Sequence, residues 1–187
     1  EIGWCDWSSD VCSSDLVTLK MATSLDGQIA MANGQSRWIT GDAARAHAHV
    51  ERARCDAILV GAGTVRIDAP RLDVRLAGLE HRSPRKIMLG SGDAPQGWDV
   101  LRSLEELGSL ACNTLLVEGG AMTASAFLRA GLVDRLLLYR APILIGAGTA
   151  CLGDFGLDNL DVAHGRWQIS LSRRLGKDSI EVYDALI

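Results

Sequence analysis

One lysine interrupts the apolar run VTLKMAT, Val17 to Thr23, in a chain that has three lysines against sixteen arginines. Such a side chain either reaches solvent from an edge strand or aims a cation and hydrogen-bond donor into a cleft. Glu118 closes a second apolar run, TLLVEGG, and Gly119-Gly120 then opens a helical pattern. In an open α/β sheet, ligands bind beyond the carboxyl ends of the strands. A helix start there offers unpaired N–H groups, and glycine lets a pyrophosphate come close. The alternative is a tight turn beside a solvated glutamate. Arg52, Arg66, Arg71 and Arg75 form a third set, three of them around Asp68. The planar guanidinium fork suits phosphate.

Other motifs carry less. GAGTVR, Gly61 to Arg66, begins like a dinucleotide fingerprint but has Arg66 where the third glycine belongs, and GAGTAC recurs at Gly146 to Cys151. His47 and His49 suggest a metal pair, yet residues two apart on a helix point about 200° apart. Both are expected on the solvated side of their helix, and no metal is expected.

The 187 residues suffice for one domain with a proper core. A net charge of −4 and the lack of a basic block argue against a nucleic-acid partner. No apolar run is long enough to span a membrane, and no secretory leader is visible. Five widely spaced cysteines without C-x-x-C fit reduced thiols and a cytoplasmic location. Cys55 and Cys112 are expected to pack.

Several elements must position the chemistry. Strands are expected at Val17–Thr23, QIAM, AILVG, RKIMLG, WDVLR, TLLVEGG and DRLLLYRAPIL. A helix is expected over Asp42–Arg54, capped by Thr40 or Asp42, with Ala43, Ala46, Val50 and Ala53 on its buried face. A second helix, after Gly120, should bury Ala121, Ala124, Ser125, Leu128 and Leu132 and stop at Gly131. The end reads as a hairpin turning at Gly176-Lys177-Asp178. Strands alternating with helices before an antiparallel end predict an α/β fold of three layers. A mixed, mostly parallel central sheet carries helices on both faces and ends in a C-terminal antiparallel hairpin.

LKMATSLDGQIAMANGQSRWIT, AILVGAGTVRIDAPRLDVR and LLVEGGAMTASAFLRAGLVDRLLLYRAPILIG, in this order, resemble the reductase half of the bacterial riboflavin-biosynthesis deaminase/reductase. The resemblance covers Val17 to the C-terminus. It implies a dihydrofolate-reductase-like fold, a homodimer, and NADPH-dependent reduction of 5-amino-6-(5-phosphoribosylamino)uracil at ribose C1′. By matched position it implies NADPH contacts at Ala22, Trp38, Thr64, Asp68 and Ser91. The cofactor's phosphates would meet Gly120, Ala121, Met122, Thr123, Ala124, Ser125 and Ala126. Substrate contacts would come from Ser36, Arg52, Leu72, Arg75 and Glu118. Lys20, Asp68 and Glu118 are the polar groups expected beside C1′, with the proton donor among them undecided. Replacing Glu118 by Gln is expected to cut turnover with the fold intact.

The family's zinc deaminase motifs are not in this chain, so the natural protein is expected to carry a deaminase domain missing here. The stretch between Gly90 and Leu115 is shorter than the resemblance implies, so one strand or hairpin is expected to be trimmed. The opening WSSDVCSSDL reads differently: GTG TGC TCT TCC GAT CT would encode Val11 to Leu16 and is similar to the end of a sequencing adapter. Glu1 to Leu16 is therefore expected to be a loosely packed, non-native tail without a ligand. A pterin or folate reductase of the same fold and an inactive nucleotide-binding scaffold remain the competing readings.

Overall fold

Alternate residues of VTLKMAT face opposite sides of a sheet, and the strand they form, β1 (Leu16–Thr23), buries every second residue. The structure, a computed structural model, describes residues 16–186. The expected tail lies outside these except for Leu16, which opens β1 opposite Thr114 and so belongs to the sheet. The elements that follow are β2 (Gln28–Met31), α1 (Asp42–Arg54), β3 (Ala57–Gly61), α2 (Ala62–Asp68), β4 (Arg85–Leu89) and β5 (Asp99–Leu101). After them come β6 (Thr114–Val117), α3 (Ala121–Arg129), β7 (Arg135–Arg140), β8 (Gly148–Ala150), β9 (Trp167–Leu175) and β10 (Asp178–Ala185).

Eight strands form one sheet in the order β5-β4-β3-β6-β1-β7-β10-β9. The first six are parallel, and β10 then runs antiparallel to both β7 and β9. The expected mixed sheet with a terminal hairpin is therefore present. Parallel crossovers are right-handed, so the direction of travel decides which face a helix covers. From β1 the chain moves through α1 to β3, and from β3 through α2 to β4, in one direction. From β6 it moves through α3 to β7 in the other. Accordingly α1 and α2 pack on one face with Ile58, Val60, Tyr139 and Ile180. α3 packs on the other with Leu19, Leu59, Val117 and the fully buried Phe127. The chain leaves β1 and β6 toward opposite faces, and that divergence opens a crevice at their carboxyl ends.

Several local expectations need correction. The buried line of α1 is Ala44 and Ala48, with Ala53 near the end; Ala43 and Ala46 are exposed. The helix is alanine-rich on all sides, so its periodicity could not choose a face. Arg52 continues the Ala44–Ala48 line by one turn and is drawn inward by a buried carboxylate described below. The cap is neither Thr40 nor Asp42. Gly41 occupies the N-cap, and its N–H donates to Asp178 Oδ2 at 2.6 Å, across 137 positions of sequence. In α3, Phe127 is buried in addition to Ala124 and Ser125. The second GAGT stretch holds the short strand β8, paired with β2 outside the main sheet. The short middle still supplies β5 as the sheet edge, followed by a 3₁₀ segment, Leu104–Ser109.

Asp178 is 2% exposed and is both the partner of the Gly41 N–H and a negative charge at the start of α1. Asp178→Ala should destabilise the fold by about 1–2 kcal/mol. The urea midpoint should fall at unchanged slope.

Candidate active site

Glu118 follows β6, and its N–H continues the sheet by donating to Leu59 O at 2.9 Å. Its side chain lies on the α1 face, 9% exposed, between two cations. Arg52 of α1 donates through Nε to Oε1 at 2.7 Å and through Nη2 to Oε2 at 2.9 Å, a bidentate pair. Lys20 of β1 lies 3.4 Å from Oε2. Burial by itself would raise the pKa of Glu118. The charge of Lys20 and the bonds and charge of Arg52 outweigh it and hold the carboxyl down at about 2. Arg52 also donates through Nη1 to Asp73 O at 3.2 Å, so its fork is turned inward rather than toward solvent. Its neighbour Cys55 is half-buried, donates to Arg52 O, and has its thiol pushed up to about 12 by burial and by Glu118. A thiol in that state is inert packing, as expected, and Cys112 is buried.

A cleft of about 520 Å³ opens beside this pair. Ser36, Trp38, Arg52, Asp68, Leu72 and Arg75 all line it, joined by Arg37 and Arg71. Leu72 has a left-handed backbone (φ 53°) and is 4% exposed, so the chain turns there and anchors its side chain in the core. The turn leaves Arg71 and Arg75 outside, on either side of Asp73, at 2.7 and 3.3 Å. Burial would raise the Asp73 pKa, and the two arginines bring it below the usual carboxylate range. His49 Nδ1 accepts the Arg75 N–H at 3.3 Å and so tethers this loop to α1.

The three groups expected beside the reacting carbon do not all meet. Lys20 and Glu118 are in contact, whereas Asp68 lies at the end of α2 with Arg37, 3.9 Å away, as its ion-pair partner. Arg66 is exposed on α2 and takes no part in lining the cleft. His47 and His49 are part-buried rather than on a fully solvated face. His47 Nδ1 is 2.8 Å from Tyr139 Oη, and burial lowers the pKa of both histidines. Among the described residues no cluster of His, Cys, Asp or Glu could hold a metal.

A second cavity, about 160 Å³, is lined by Lys20, Ala22, Ile29, Glu118, Gly119 and Cys151. It leads to the start of α3, whose N-cap Gly120 has no side-chain cap. A Cβ on Gly61 or Gly119 would overlap Thr123, so Gly61 lets the start of α2 lie against that of α3 and Gly119 lets the turn fold onto its own helix. Thr64 Oγ1 stands 3.9 Å from where a Gly120 Cβ would be. Within Gly120–Ala126, Met122 is 89% exposed, while Ala124 and Ser125 face the core at 1% and 5%. Ser125 Oγ accepts the Gly153 N–H at 2.8 Å. Gly120–Thr123 thus form the accessible start of this helix, whereas the side chains of Ala124 and Ser125 face the core. Ser91 is exposed just beyond the end of β4.

Sequence reasoning also missed Asp26. Its carboxylate accepts from Ser24 Oγ, Ile145 N and Gly146 N, which lower its pKa to about 2 and lock the β1–β2 turn to the Ile145–Gly146 loop. In sequence, Asp26-Gly27 carries only the local signature of a turn, with no sign of its distant partners.

The family model for the RibD C-terminal domain matches residues 15–103 and 94–180. The riboflavin biosynthesis protein RibD of Mycobacterium tuberculosis (strain ATCC 25618 / H37Rv) is 42% identical over 177 residues, covering 87% of this chain and 52% of its own length. The chain thus spans about half the length of the relatives it matches. Among solved structures, the diaminohydroxyphosphoribosylaminopyrimidine deaminase/5-amino-6-(5-phosphoribosylamino)uracil reductase of Thermotoga maritima superposes with TM-score 0.78. It has 26% identity, over 92% of this chain and 57% of its own. Dihydrofolate reductase from Enterococcus faecalis, complexed with NADP(H) and RAB-propyl, superposes with TM-score 0.65. Its identity is 15%, over 94% and 99% of the two chains, and it bears on the fold alone. No described helix is long and apolar enough to cross a membrane.

Because Glu118 is ionised when folded and has an ordinary pKa when unfolded, its pairing stabilises the protein fully above the unfolded value, 4.5. That contribution disappears as pH falls through about 2. Glu118→Gln leaves Lys20 and Arg52 without a counter-charge, so the fold is not indifferent to it, and the loss near pH 7 should be about 3–5 kcal/mol. In urea titrations at stepped pH, the gap between wild type and variant should narrow steadily from pH 5 toward pH 2.

Proposed function

The chain belongs to the RibD C-terminal domain family, and from that premise we propose that it is an NADPH-dependent oxidoreductase of riboflavin biosynthesis. Its proposed substrate is 5-amino-6-(5-phosphoribosylamino)uracil and its product the 5-phosphoribitylamino compound. The observation that carries this reading is the Lys20–Glu118–Arg52 triad, set where β1 and β6 diverge and beside the cleft edged by Arg71 and Arg75.

NADPH, when bound, supplies the hydride to C1′ of the opened sugar. The start of α3 suits its phosphates, because Gly120 has no side-chain cap and Gly119 leaves no room for a side chain. Trp38, 67% exposed and backed by Arg45 at 4.6 Å, presents a flat face beside the cleft for a planar ring. Ala22, Thr64 and Ser91 lie around the same end of the sheet and complete the proposed cofactor contacts. Arg71 and Arg75 are held apart by Asp73 and retain outward N–H groups for the sugar phosphate, with Ser36 and Leu72 alongside.

The proton that accompanies the hydride comes from Lys20 in this reading. A carboxyl held at about 2 has no proton to give at neutral pH, so Glu118 orients and neutralises. An ammonium carries three N–H donors. Lys20 uses one toward Glu118, and it lines the small cavity that adjoins Glu118 and Gly119. Arg52 keeps Glu118 in place rather than binding phosphate. Asp68 shapes the cleft through Arg37.

The test is loss of NADPH absorbance at 340 nm with the phosphoribosylaminouracil substrate. Lys20→Met should lower kcat by about 10²–10⁴-fold, with the NADPH KM little changed. Arg75→Ala should instead raise the substrate KM by about tenfold, the loss of one charge-assisted contact. Saturable NADPH binding without substrate-dependent oxidation by the wild-type chain would refute the proposed substrate. No NADPH binding by the folded chain would refute the reductase reading itself.

A further inference from the structure

Tyr139, on β7, is 1% exposed and heads the fully buried side chains by volume. It stands opposite Ala22 of β1, and Lys20 stands opposite Leu137, so Tyr139 and Lys20 are diagonal neighbours on the α1 face of the sheet. Lys20 Nζ lies 5.8 Å from the Tyr139 ring centroid and 3.4 Å from Glu118 Oε2. The ammonium therefore has a carboxylate on one side and an aromatic wall on the other. At its far end, Tyr139 Oη is 2.8 Å from Nδ1 of His47, with the two rings edge to face. His47 is on α1, five residues before Arg52. One tyrosine thus touches one cation of Glu118 and is tied to the helix that carries the other.

We propose that Tyr139 is a positioning residue for Lys20: its ring confines the ammonium to the Glu118 side, and His47 fixes the ring to α1. The proposal rests on the assignment of Lys20 as the proton donor. A lysine side chain has four rotatable bonds, and an ion pair at 3.4 Å fixes only its end. A cation within about 6 Å of an aromatic ring is also attracted to it, so the ring steers as well as blocks. The chemistry of the His47 link is consistent with a static strut. Burial lowers the His47 pKa, with Arg173 and Arg54 reinforcing it against Glu51, so the imidazole is neutral at pH 7. Burial raises the Tyr139 phenol, so it keeps its proton and donates it to Nδ1 in the tautomer that carries the imidazole proton on Nε2. The imidazole N–H at Nε2 then faces Glu51, 3.8 Å away.

The experiment compares Tyr139→Phe with Tyr139→Leu and Tyr139→Met, folding being checked by circular dichroism. The phenylalanine variant keeps the ring and loses the hydroxyl. The other two lose the ring, and flexible Met fills the space if Leu does not fold. Turnover and the NADPH KM are measured, and acetylation of Lys20 by acetic anhydride is followed by peptide mass mapping, with Lys177 as reference. Without the ring, kcat should fall about tenfold or more while the NADPH KM stays within about twofold, and the phenylalanine variant should recover to within about threefold of wild type. Lys20 acetylation should rise about threefold or more only in the ringless variants. Wild-type kcat and Lys20 labelling in a folded ringless variant would overturn the proposal, as would a phenylalanine variant no better than leucine. If the wild-type chain does not reduce the substrate, the reductase reading fails while the labelling still decides whether the ring holds Lys20.

Discussion

An ionised carboxylate inside a protein is tolerable only when opposite charge reaches it. Glu118 meets that condition through two cations from two different elements, a bidentate arginine on α1 and a lysine on β1. Much else follows from satisfying it. Helix α1 must present Arg52 inward, and that sets its rotation, so alanines rather than larger residues lie on the line toward the sheet. Close approach of α1 brings His47 to Tyr139 and His49 to the Arg75 backbone. The cleft loop, the helix and the sheet thus share one orientation because one carboxylate needs them to.

The fold was largely legible because its signals are local. Buried runs such as AILVG read as parallel strands, and the alternation of strands with helices forced a layered sheet. Gly131 and Gly176, both with positive φ, marked a helix stop and a hairpin turn. What escaped depended on partners distant in sequence. No pattern near Asp42 could reveal that Asp178 caps its helix. The periodicity of α1 could not rank its faces because alanine occurs on all of them. β8 is three residues long, and nothing in GTA marks a strand apart from its pairing with β2.

The candidate site divided along similar lines. Lys20 and Glu118 stood out because charges inside apolar runs are costly, and a costly group needs a reason. Of the residues placed by resemblance on the substrate side, Ser36, Arg52, Leu72 and Arg75 line one cleft while Glu118 lines the smaller cavity, and Arg52 is committed to Glu118. Asp68 carries no comparable anomaly, and it pairs with Arg37 on the far side of that cleft. The histidines were misjudged because helical spacing reports direction along one element and says nothing about Tyr139 on another. Ala124 and Ser125 were assigned to the cofactor as part of a stretch; the helix turns successive residues through about 100° and points the side chains of these two at the core.

Charge also stabilises the register of the central strand. β1 alternates Val17, Leu19 and Met21 toward α3 with Thr18, Lys20 and Ala22 toward α1. The α3 side is a dry core around Phe127, Leu59 and Val117. A slip of β1 by one residue would exchange the two faces and place Lys20 in that core, away from Glu118. It would also leave Glu118 with half its counter-charge and set Leu19 in a polar crevice. The penalty for an unpaired buried ion exceeds that for a misplaced methylene several-fold. The ionic triad therefore adds to the apolar pattern in selecting the register, and the proposed chemistry shares its three side chains with that constraint.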